Sequence, residues 1–185
     1  NEYIYSKTSE ETISINVVLE RCKNNKFDEE NISILACYMP LYKLLEIIPA
    51  ITSFSSLDKN FNQLLNLQIS EPLEEIKLSK NIKKIGFINN EISMKVQSQY
   101  EKNPFPRWRY GDPSKISKIT SIQAINAEIK PNLICNHSEA KTLKVLIAGC
   151  GTGSQIIDAQ RYKDTQITAV DLSSASLAYA QRKIN

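Results

Sequence analysis

Histidine is almost missing from this chain of 185 residues, which holds one, and cysteine is sparse at four. None of Cys22, Cys37, Cys135 and Cys150 forms a CxxC pair, so a His/Cys zinc site is poorly supplied and no metal is expected. The thiols read as reduced, in a cytoplasmic setting. No apolar run approaches the ~18 residues that a membrane-spanning helix needs, and no membrane association is expected. Strong charge of either sign is lacking too: 23 Lys and Arg against 20 Asp and Glu leave +3, spread along the sequence. Nucleic-acid binders concentrate their basic residues on one surface, so that class is disfavoured. The nearest basic cluster, Lys77 to Lys84, reads as a solvated face rather than a charge-steered surface. The chain opens on Asn-Glu-Tyr without an initiator Met or a signal-peptide pattern, which leads us to expect further sequence upstream.

What is present has the balance of a globular protein, 42% hydrophobic and 23% charged, enough for one ordinary domain or two small ones. Residues 1–95 read as a helical region. Glu11 to Lys23 carries Ile13, Ile15, Val17, Val18 and Leu19; Asp28 to Leu45 is a second helical stretch, broken near Met39-Pro40. Asp58 to Ile69 sets Phe61, Leu64 and Leu65 on one face, and Glu71-Pro72-Leu73-Glu74-Glu75 has the signature of a fresh helix start. No common period makes these helices a repeat array. Residues 96–140 read as a connector with lid-like character. A helix over Asn90 to Lys102, with Ile92, Val96 and Tyr100 in a stripe, ends at Asn103-Pro104-Phe105-Pro106-Arg107-Trp108, and a further helix covers Thr120 to Ile129.

From residue 141 the pattern changes to strand, helix, strand, helix, the start of a parallel sheet, so the fold class is α/β. Leu143 to Ala148 is continuously apolar, as in a strand covered on both faces. Three of the five glycines then fall in one window, Gly149-Cys150-Gly151-Thr152-Gly153, and Asp171 ends the second strand, Gln166 to Val170. Such a turn lets a ligand approach bare backbone, and an acid about 20 residues later can accept hydrogen bonds from both hydroxyls of a ribose. The plain alternative is a tight strand–helix turn with an Asp capping the next helix, which needs one glycine rather than three.

Val145-Leu146-x-x-Gly149-Cys150-Gly151-Thr152-Gly153, followed by Ala169-Val170-Asp171-Leu172-Ser173-x-x-Ser176-Leu177-x-x-Ala180, resembles the cofactor motifs of class I S-adenosylmethionine (SAM)-dependent methyltransferases. Leu35-Ala36-Cys37-Tyr38-x-Pro40-Leu41-Tyr42, Glu71-Pro72-Leu73-Glu74-Glu75 and Gln99-Tyr100-Glu101-x-Asn103-Pro104-Phe105-Pro106-Arg107-Trp108 are similar to a bacterial subgroup often found behind tetratricopeptide-type helical repeats. The resemblance implies a Rossmann-like SAM-binding domain starting at 141, with a sheet left incomplete at 185, and further chain carrying the catalytic residues. It assigns the backbone at Gly149, Cys150 and Gly151 to the methionine portion of SAM, with Gly153 in the same cofactor-binding turn, Asp171 to the ribose and Leu172 to the adenine. Many members have an acid where this chain has Ile147, so the methionine amino group must be held from elsewhere or more weakly. Tyr100 and Trp108 would form a lid over the cofactor or pack as core residues; both readings stand open.

Arg107 reads as a surface residue before it reads as an anion grip, His137 as a loop residue before a base, and Cys150 as a supplier of its backbone amide. The methyl acceptor is not legible, and a protein partner for the helical region is compatible with the pattern. Two rival functions are a nicotinamide-dependent oxidoreductase, whose Gly-x-Gly-x-x-Gly pattern would need Gly or Ala at Ser154, and a helical interaction module with a vestigial nucleotide-binding part.

Overall fold

The computed structural model describes residues 3, 6–24, 26, 28–109, 117–135 and 142–184, and the chain divides into two compact units, Asn1–Glu74 and Glu75–Asn185. His137, with its polar neighbours Asn136, Ser138 and Glu139, lies outside the described residues.

In the first unit, α1 (Ser9–Lys23) opens with a reciprocal cap: Thr8 Oγ1 accepts the Glu11 N–H at 3.1 Å, and the Glu11 carboxylate accepts the Thr8 N–H at 2.8 Å. Such caps stabilise a helix by roughly 1 kcal/mol. Ile15, Val18, Leu19 and Cys22 turn inward at helical spacing, while Ile13 and Val17 fall on the opposite, exposed face. Asp28 caps α2 (Glu29–Tyr38), which stops as expected: Met39 is extended (φ −156°, ψ 151°), the conformation imposed on a residue preceding proline. Two 3-10 turns follow, Leu41–Glu46 and Pro49–Ser53, and then α3 (Lys59–Leu65). Ile32, Leu35 and Leu41 are completely buried in a core shared with Ile51, Phe61 and Ile69.

Glu71-Pro72 does not start a separate helix. The chain passes from α3 through a π turn (Asn66–Ser70) into α4 (Glu71–Ser79), with Glu71 itself helical at φ −61°, ψ −48°. Pro72 has no N–H to offer and its ring crowds the carbonyl four residues back, so the wider π turn ahead of it relieves both problems. The same turn sets Gln68 to accept the Leu41 N–H at 3.2 Å and the Tyr3 hydroxyl at 3.0 Å. Lys77, Lys80, Lys83 and Lys84 are exposed, as a solvated face should be.

In the second unit, α5 (Glu91–Lys102) and α6 (Ser121–Glu128) precede β1 (Leu143–Ala148), α7 (Ser154–Ala159), β2 (Thr165–Val170) and α8 (Ser174–Ile184). The strands are adjacent and parallel, in register from Leu143 opposite Thr165 to Ala148 opposite Val170. This mixed architecture agrees with the α/β class. The burial of β1 differs from the expectation of cover on both faces. Val145 and Ile147 are half-buried, but Leu146 is 67% exposed. Ile147, Ile167 and Ala169 pack with Ile156 of α7 and with Leu177, Ala180 and Ile184 of α8, so both helices cover one face. The stripe on α5 is likewise not a core stripe: Ile92 is 72% and Val96 37% exposed, and the helix meets α8 through its polar residues instead.

Candidate functional site

At the carboxyl ends of the two strands, the glycine turn and Asp171 are bonded to each other. Gly151 N–H donates to Asp171 Oδ2 at 2.8 Å, and Ser173 N–H donates to Oδ1 at 2.9 Å. Parallel pairing brings this about, because Ala148 and Val170 are opposite each other and the chain leaves both strands on the same side. The turn is sewn to the sheet as well: the N–H groups of Gly149 and Cys150 both donate to Val170 O, at 2.8 and 3.1 Å. The Cys150 amide expected to face a ligand is thus committed to the sheet. A carboxylate has about four lone-pair sites. With one backbone donor on each oxygen of Asp171, acceptor capacity for two further hydroxyls is left.

The three glycines do different work. Gly149 (φ 69°) and Gly151 (φ 52°) have nothing within 4 Å of where a Cβ would stand, so their backbone forms an open floor. Gly153 (φ 92°) instead packs against α8, and a Cβ there would lie 2.6 Å from the Ala180 Cβ. Cys150 is 4% exposed. Burial, and then the nearby Asp171 carboxylate, push its thiol up to about 11 and so favour the protonated form near neutral pH.

Trp108 is packed rather than poised. Its ring meets Tyr179 edge-on at 6.0 Å and its Nε1 donates to Thr152 O at 2.8 Å, while Thr152 Oγ1 donates to Pro106 O at 2.6 Å. The Tyr179 hydroxyl donates to Trp108 O in turn. The Pro106–Trp108 segment is thereby clamped to the glycine turn and to α8. Arg107 is exposed, as a surface residue should be, and lies 3.7 Å from Glu75 and over the Tyr179 ring. Glu75, 8% exposed, accepts from Arg182 Nε and Nη2 at 3.0 and 2.8 Å, a buried pair within the second unit. Leu172 is 42% exposed beside Asp171. Tyr100 is half-buried on α5, and among the described residues no hydrogen bond or ring contact brings it to the turn.

Thus the structure gathers Gly149, Cys150, Gly151, Gly153, Asp171 and Leu172 at one place and sets Trp108 against the turn, with Tyr100 half-buried on α5. The sequence reading missed Thr152, Tyr179, Glu75 and Glu101. Thr152 stood between two glycines, and Glu101 stood in the string used for the resemblance, but neither residue's partner is visible in a linear pattern. Compared with protein-family models, with curated proteins and with solved structures, the chain matches none of them.

Proposed function

We propose that the chain binds S-adenosylmethionine at the glycine turn and serves a methyltransferase, residues 143–184 being the opening of a Rossmann-like cofactor domain. One observation carries the reading: a Cβ-free floor at Gly149 and Gly151 is joined by a 2.8 Å hydrogen bond to an acid with acceptor capacity to spare. Together they suit a ligand that has a slender chain at one end and a vicinal diol at the other. Asp171 would accept the two ribose hydroxyls, Leu172 would lie against the adenine, and the floor would leave room for the methionine portion. The clamp of Trp108 and Thr152 keeps that floor in place before the ligand arrives, which lowers the entropy cost of alignment. The bound cofactor would supply an electrophilic sulfonium methyl group for direct displacement by an oxygen, nitrogen or carbon nucleophile of the acceptor. We assign the reaction to the cytoplasm and the helical first unit to a protein partner.

Calorimetry on the full-length protein with SAM, S-adenosylhomocysteine and NAD tests the reading. The first two should bind, and Asp171→Ala should weaken both by ~1–3 kcal/mol through loss of charge-assisted hydrogen bonds. Gly151→Val should abolish binding with little change in secondary structure, because its side chain would fill the open floor. Binding of NAD alone would favour the oxidoreductase instead, and binding of none of the three would favour the helical interaction module.

A further inference from the structure

We propose that Glu101 and Gln97 of α5 are positioning residues for this site, holding the β2–α8 turn so that Asp171 is presented to the ribose; the inference rests on the cofactor reading above. The first N–H groups of a helix have no intrahelical acceptors, and inside a protein each must find one. Here four successive groups are accounted for. Ser173 N–H goes to Asp171 Oδ1 at 2.9 Å, and Ser176 N–H goes to Ser173 Oγ at 3.1 Å. The two between them go to Glu101: Ser174 N–H to Oε1 at 2.7 Å and Ala175 N–H to Oε2 at 3.1 Å, with the Ser174 hydroxyl also donating at 3.0 Å. Gln97, one turn earlier on α5, donates its side-chain N–H to Leu172 O at 2.8 Å.

No residue near the turn in sequence does this job; the cap comes from 73 residues upstream. A carboxylate accepting two backbone N–H groups at a helix N-terminus is held by charge-assisted bonds and by the helix dipole. The polar face of α5 therefore fixes Leu172, Ser174 and Ala175, the residues that immediately follow Asp171. The remaining freedom of the Asp171 carboxylate is removed by Ser173 and Gly151. Without Glu101 the turn loses two of its four N–H acceptors, and the carboxylate loses its fixed angle to the floor.

The test compares S-adenosylhomocysteine with its 2′,3′-dideoxy analogue by calorimetry on the full-length protein. The wild type should prefer the hydroxylated ligand clearly. Glu101→Ala should lower the affinity for S-adenosylhomocysteine about tenfold and shrink the preference towards one, as expected when a charge-assisted contact is misaligned. Glu101→Gln should recover much of both, since its amide oxygen still accepts. Gln97→Ala should act in the same sense but more weakly, and it carries the test if the Glu101 variants do not fold. A Glu101→Ala protein that keeps the wild-type preference, whatever its absolute affinity, would overturn the positioning role alone. A wild type that binds neither ligand overturns the cofactor reading, and this inference with it.

Discussion

Replacing Gly153 by Ala adds one methyl group at the most crowded point of the turn. That methyl would stand 2.6 Å from the Ala180 Cβ and 3.2 Å from its Cα, where carbon atoms prefer about 3.5–4.0 Å. Both offending atoms belong to the frame of α8, and Ala180 is 2% exposed, so no side chain can swing aside. Forcing extra volume into a packed site costs about 1–3 kcal/mol. The positive φ of 92° adds about 1–2 kcal/mol for any residue with a Cβ. We therefore expect Gly153→Ala to destabilise the second unit by about 2–5 kcal/mol. Gly149→Ala and Gly151→Ala carry only the conformational part, about 1–2 kcal/mol, because their methyl groups would meet nothing within 4 Å.

The chain's single tryptophan makes the assay direct, since Trp108 packs on Tyr179 within this unit and its fluorescence reports the unit's unfolding in urea. The clash can be isolated by a cycle with Ala180→Gly, which removes the Cβ at 2.6 Å. In that background Gly153→Ala should cost about 1–2 kcal/mol less than in the wild type. A Gly153→Ala midpoint equal to that of the wild type, or below no other glycine variant, would refute the division between a packing glycine and two floor glycines.

Three further outcomes follow from the same contacts. Glu75→Ala strips the carboxylate from Arg182, whose side chain is 8% exposed, and should cost about 3–5 kcal/mol in urea unfolding, while Glu75→Gln costs less; a loss under about 1 kcal/mol would mean that the pair is not a tie. Because the Cys150 thiol is raised to about 11 from 9.0, the folded state holds its proton longer than the unfolded chain does. Its contribution to stability is present below pH 9 and lost as pH rises towards 11. With a thiol reagent near pH 8, exposed Cys37 and Cys135 should react quickly while buried Cys22 and Cys150 lag, and fast labelling of Cys150 would contradict its placement. Ser176 Oγ is buried without a hydrogen-bond partner among the described residues, so Ser176→Ala should be neutral or stabilising by up to about 1 kcal/mol; a clear loss of stability would reveal a partner for the hydroxyl.

How far the sequence led depends on how local each signal was. The helices near Glu11 to Lys23, Asn90 to Lys102 and Thr120 to Ile129, the stop before Pro40 and the two strands with their glycine turn rest on neighbours a few residues apart, and they formed close to where the pattern placed them. The place of Asp171 beside the glycine turn was also legible, because parallel pairing of consecutive strands leaves little choice about what lies beside the first strand's exit, although its bond to the Gly151 N–H was not. Pro72 misled because proline with acids in a first turn has the same signature whether a helix begins there or a preceding helix widens into a π turn to admit it. The apolar run of β1 misled because composition gives the greasiness of a strand but not the side on which its helices land; α7 and α8 took the same side and left Leu146 outside. Least legible were the residues that hold the site still. Glu101 reaches Ser174 over 73 positions, Trp108 reaches Thr152 over 44, and Arg182 reaches Glu75 over 107. Each is a polar group that satisfies a distant backbone or charge. Such a group looks like solvated surface until the fold supplies its partner, so a motif can be found long before the residues that keep it in shape.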